Sequence, residues 1–143
     1  MDTAEFSQQE ILERGGYNAT AFIVGTMAFS KQHGFSIEEW ARATGTLFAP
    51  GWSELAGKGA RAVAREAALN MASCGATDVA VAGDDSRAEV TGHWPPGDLL
   101  ASRGVSRAEI TPFYHIFAPI VTPLGVCYEF AVEGDRFQFT FTR

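Results

Sequence analysis

Three side chains in the second half of the chain have the chemistry to move a proton or orient one: His93, His115 and Glu129. Imidazole titrates near neutral pH, so either histidine could act as a general acid or base. His93 falls on the polar face of a predicted strand, two residues from Thr91 and four from Glu89. His115 lies opposite an apolar helix face formed by Phe113, Ile116, Phe117 and Ile120. Glu129 shares a strand face with Cys127 by the period of two. With His93 these two could form a nucleophilic Cys/His/Glu set. The plainer reading of each is a solvated histidine, a surface carboxylate or a small buried thiol. No His-x-x-x-His or comparable spacing marks a metal site, and none is expected.

These residues need elements to position them. Phe137, Phe139 and Phe141 alternate with Arg136, Gln138, Thr140 and Thr142, the pattern of a strand with one buried face. Its expected partner places Tyr128, Phe130 and Val132 opposite Cys127, Glu129 and Ala131. A first hairpin is expected from Val79 to Trp94, turning at Gly83-Asp84-Asp85-Ser86, with Ala88, Val90, Gly92 and Trp94 on one face. Asp84 and Asp85 need no role beyond that turn.

Three helix starts repeat one signal: apolar, Ser, then Glu three residues on, then apolar. They are Phe6-Ser7 with Glu10-Ile11, Phe35-Ser36 with Glu39-Trp40, and Val105-Ser106 with Glu109-Ile110. Each reads as a capping box flanked by a hydrophobic staple. The first helix is expected over residues 7 to about 33, with a break or bend near Gly15-Gly16. The second puts Ile37, Trp40, Ala41, Thr44, Leu47 and Phe48 on one face and stops at Pro50-Gly51. A third, small-sided helix is expected from Trp52 to Met71, with Gly57 and Gly59 inside its packing stripe and Cys74-Gly75 ending it. Thr111-Pro112 reads as a further start.

The expected fold is therefore α+β, with helices packed on one face of a small antiparallel sheet built from two hairpins. One domain is expected over 1–143, helical over about 6–74 and hairpin, helix, hairpin over about 78–143.

This order of elements resembles the aminothiazoline-carboxylate hydrolase-like domains, which look related to the 4-vinyl-reductase domain and the TRAPP-subunit fold. The matching pieces are Glu89-Val90-Thr91-Gly92-His93-Trp94-Pro95, the helix with Tyr114-His115, and Gly134-Asp135-Arg136-Phe137-Gln138-Phe139. Family members often carry Cys where this chain has His93-Trp94, Tyr114-His115 and Gln138. The resemblance thus implies a fold and a small-molecule pocket rather than thiol or metal chemistry. It suggests hydrolysis or ring-opening of a small heterocyclic or carboxylate substrate. His93 or His115 would move the proton and Glu129 would orient it. Trp94, Tyr114, Cys127, Phe22, Phe113 and Gln138 would contact the substrate. A ligand-sensing or assembly module of the same fold is the alternative.

Composition narrows the partners. The 143 residues are 46% hydrophobic and 20% charged, ordinary for a globular chain. A net charge of −6 without a Lys/Arg cluster disfavours nucleic acid and anionic membranes. The longest apolar stretch, Ala19 to Phe29, is shorter than the roughly 20 residues of a membrane span. No leader pattern opens the chain, and two cysteines without ligand spacing suggest reduced thiols and a cytoplasmic setting. The expected partner is a small-molecule ligand, with no cofactor; a homodimer is left open.

Overall fold

A computed structural model describes residues 6–143. The fold is α+β, as the alternation and caps predict. Two long helices open it, α1 (Gln8–Gln32) and α2 (Ile37–Phe48), followed by a 3-10 segment (Ala49–Leu55) and α3 (Ala60–Ser73). The first hairpin is β1 (Thr77–Gly83) and β2 (Arg87–His93). Short helices α4 (Gly97–Ser102) and α5 (Arg107–Ile110) lead into a 3-10 turn (Thr111–Ile116), α6 (Phe117–Val121) and a last 3-10 turn (Thr122–Leu124). The closing hairpin is β3 (Cys127–Glu133) and β4 (Arg136–Thr142).

All three Ser-x-x-Glu signals are working capping boxes. Ser7, Ser36 and Ser106 each accept from the amide of the Glu three residues on, and that Glu accepts from the Ser amide. The pairs offer first-turn amides partners they would otherwise lack.

The four strands form one antiparallel sheet in the order β1-β2-β4-β3. Val90 faces Phe139, which in turn faces Phe130. Ala88, Val90, Phe137, Phe139 and Phe141 are fully buried beneath the helices. Period two sends Glu89, Thr91, His93, Gln138 and Thr140 to the other, solvated face.

α3 holds the sheet to the helices, contacting β1, β2, β4 and α1. Its Ala60, Val63, Ala64, Ala67, Ala68 and Met71 are buried, so the small-sided stripe does permit close approach. Its start differs from the sequence expectation. Trp52 and Leu55 lie in the 3-10 segment, and Gly57 and Gly59 have φ of 76° and 93°, which break the chain before Ala60. Gly59 is needed where it is: a Cβ there would meet the side chain of Asp85 at 2.7 Å. The Ala60 amide donates to the Asp85 carbonyl (2.9 Å), and Arg61 donates to the Gly83 carbonyl, fixing α3 on the first turn.

Two other expectations are corrected. α1 runs unbroken through Gly15-Gly16, because a helical glycine weakens but does not stop a ladder of i to i−4 bonds. Gly16 instead lets the Gly75 Cα come close, 3.3 Å from where a Cβ would stand. On α2 the buried line is Ile37, Ala41 and Gly45, while Leu47 and Phe48 are exposed.

Candidate functional site

The sequence-predicted residues fall on two sides of the sheet. His93 ends β2 on the solvated face, and its Nδ1 lies 3.0 Å from Asp135 Oδ1 in the closing turn. An ionised carboxylate only accepts, so Nδ1 carries the hydrogen and Nε2 is left as the free lone pair. The His93 hydrogen bond is the main cause holding the Asp135 carboxyl below its ordinary value. Glu129 is on the same face one strand beyond β4, opposite Thr140. Gln138 Nε2 donates to Glu89 Oε2 (3.3 Å).

Cys127 is exposed at the far end of this face. It pairs with Thr142, whereas His93 pairs with Arg136 at the opposite end of β4. Six residues of strand separate those levels, about 20 Å. The Cys127, Glu129 and His93 side chains are therefore not assembled into a nucleophilic set.

His115 lies on the helical side. Its ring packs edge-on against the inward-facing Phe130, with centroids 5.0 Å apart. Arg42 donates to His115 Nδ1 (3.1 Å). Guanidinium cannot accept, so the neutral ring carries its hydrogen on Nε2, which lies 3.8 Å from Glu38 Oε1. The sheet thus stands between His93 and His115, and each histidine has its own charged neighbours.

Tyr114 and Trp94 are buried in the aromatic core. Tyr114 donates its hydroxyl to the Trp94 carbonyl (3.1 Å), and Tyr128 donates to the Tyr114 carbonyl (2.9 Å). Burial pushes both phenols upward, so both stay neutral donors. The Trp94 indole N–H points between the Cys74 carbonyl (3.0 Å) and Thr20 Oγ1 (3.3 Å). Thr20 in turn donates to the Cys74 carbonyl. This junction pins α1, the end of α3 and the end of β2 together. Phe22 points outward from α1, 75% exposed, away from the core.

A partly open apolar cavity lies elsewhere, among the helices. A cavity of about 360 Å³ is bounded by α1, α2, the first 3-10 segment, α3, the 3-10 turn after α5, and α6. Trp40, Trp52, Phe113 and Phe117 supply its aromatic walls, with Ile23, Met71, Ile116 and Ile120 between them. Thr44, Asn70 and Cys74 are the polar side chains on its lining. Asn70 spends its amide hydrogens on Glu66 (2.9 and 3.1 Å), so its amide oxygen is the acceptor left over. Burial pushes the Cys74 thiol up, which keeps it protonated and a weak donor rather than a nucleophile. Phe48 and Gly51 are exposed lining residues and mark the mouth.

Comparison with family models, with curated proteins and with solved structures returned no match. The geometry therefore carries the functional reading.

Of the residues expected to act on or contact a substrate, Phe113 alone lines this cavity. Trp94 packs behind it at a tilt, with ring centroids 4.7 Å apart. Trp40, Trp52, Thr44, Asn70 and Cys74 were not expected there, because helical spacing marks a cavity wall and a filled core identically. Among the described residues no three His, Cys, Asp or Glu side chains converge as a metal group would require, and no helix is long and apolar enough to cross a membrane.

Proposed function

We propose that the chain is a small-molecule-binding module that takes a flat, largely apolar ligand into the cavity between α2, α3 and α6. The observation that carries this is the lining. Aromatic and aliphatic walls surround a few polar groups, the usual composition of a small-ligand site, and about 360 Å³ is at the small end of such sites. No carboxylate, imidazole or amine lines it, so the cavity supplies affinity and orientation rather than acid–base catalysis. The best ligand has one donor for the Asn70 oxygen and an acceptor near Thr44.

The experiment is a thermal-shift screen of planar aromatics and heteroaromatics, followed by titration of tryptophan fluorescence. Trp40 and Trp52 lie on the lining, so a bound ring should change their emission. Thr44→Phe fills the space from a half-buried position and should weaken binding by about tenfold or more without loss of fold. Undiminished binding by that variant would place the ligand elsewhere.

A second reading keeps the hydrolytic chemistry that the resemblance implies and puts it at His93. The His93–Asp135 pair favours it, since a carboxylate that fixes Nδ1–H leaves Nε2 as a base. Ligands from the screen would be assayed for turnover. Turnover that survives His93→Ala would rule this reading out.

A further inference from the structure

α1 carries a second stripe that the monomer does not use. Thr20, Val24 and Met27 face the body, and residues 6–15 are exposed throughout. On the opposite side Ile11, Gly15, Asn18, Phe22, Gly25 and Phe29 recur at spacings of four and three, the heptad pattern of a helix-pairing seam. Ile11, Phe22 and Phe29 are 59%, 75% and 61% exposed. Helices do not keep three large side chains on a solvent face for their own stability.

The two glycines are the second observation. Gly16 and Gly75 are small because another backbone approaches them. Gly15 and Gly25 have nothing within 4 Å of a built Cβ, and neither has a φ that requires glycine. Each weakens the helix relative to alanine, and no neighbour within the chain explains either.

We propose that α1 pairs antiparallel with α1 of a second copy along this stripe. The stripe reads alike from either end about the level of residue 20, so it is complementary to itself in a second copy. Ile11 then meets the other copy's Phe29, Gly15 meets Gly25, and Asn18 meets Phe22. A two-fold interface demands this reciprocity. The glycines become the shallow holes into which large aromatic knobs fit. The antiparallel arrangement also sets the positive N-terminal end of each helix beside the negative C-terminal end of the other. A 25-residue helix is about 37 Å long. In contact over a strip about 11 Å across, the width of the helix itself, it buries on the order of 400 Å² per copy, the size of a weak dimer that forms at micromolar concentration.

Sedimentation velocity on the full chain at tens of micromolar should show a dimer. Phe22→Glu should give a monomer with unchanged far-ultraviolet circular dichroism, because Phe22 touches no core. Gly25→Ala should loosen the dimer about tenfold or more while leaving the helix signal equal or higher. Orientation is read by mixing Ile11→Cys chains with Phe29→Cys chains, both carrying Cys127→Ser to remove the exposed thiol. The mixture should cross-link between the two kinds of chain. A monomeric wild type, a dimer that neither Phe22→Glu nor Gly25→Ala weakens, or Phe29→Cys chains that cross-link to themselves alone would each overturn the proposal.

Discussion

Gly45 shows how a single atom sets the geometry of the cavity. It lies in the third turn of α2, where a Cβ would stand 2.1 Å from the Ile116 carbonyl oxygen and 2.7 Å from Pro119. The absence of that atom lets α2 lie directly on the backbone that carries Phe113, Ile116 and Phe117. Gly45→Ala should therefore push α2 outward and destabilise by about 1–3 kcal/mol or more, despite the gain in helix propensity. Chemical denaturation would measure it, and a neutral or stabilising outcome would mean that this contact is not tight. Residue chemistry was partly legible in the sequence. The Asp84 turn is as expected, its carboxylate accepting from the Ser86 and Arg87 amides (2.8 and 3.2 Å). The solvated face of His93 was legible from strand alternation, but the place of His115 was not, because what a helix-borne residue meets depends on how the helices pack.

At the scale of elements, local codes read well and boundaries set by tertiary contact did not. Capping boxes and strand alternation involve neighbours within a few residues, so Ser7, Ser36, Ser106 and the Phe137-Phe139-Phe141 strand were recognisable from sequence alone. The start of α3 was missed because Trp52, Leu55, Ala56 and Gly59 continue a helical spacing by coincidence. Two positive-φ glycines interrupt it, and Gly59 makes room for Asp85, a partner from the turn of the first hairpin that no local signal marks. Glu109 gives an element-scale prediction. It caps α5, and Lys31 at the end of α1 binds the same carboxylate, which is pulled from an ordinary value of 4.5 down to about 2, with the Lys31 bond as the first cause. A depressed carboxylate contributes stability above its unfolded value and loses it as pH falls toward the folded one. Melting temperature should thus fall between about pH 4.5 and pH 2, and Glu109→Gln should flatten that part of the profile. An identical profile for the variant would show that the tether between α1 and α5 carries no linkage.

At the scale of the whole molecule, the chain separates its polar and apolar surfaces by the sheet. The solvated face bears His93, Glu89, Glu129 and Gln138, while the helical side holds an aromatic cavity with few polar points. The fold class was legible because period and turn chemistry are local. The cavity was not, because six separate segments contribute its walls and no one of them differs in pattern from core. A ligand should bind among the helices and not on the sheet. Methyl NMR tests it most directly, with a ligand from the thermal-shift screen titrated into the full chain. The methyl signals of Ile23, Met71, Ile116 and Ile120 should shift first and furthest, while those of Ala80, Ala82 and Thr91 stay in place. Shifts concentrated on Ala80, Ala82 and Thr91, with the four cavity methyl groups unmoved, would contradict it.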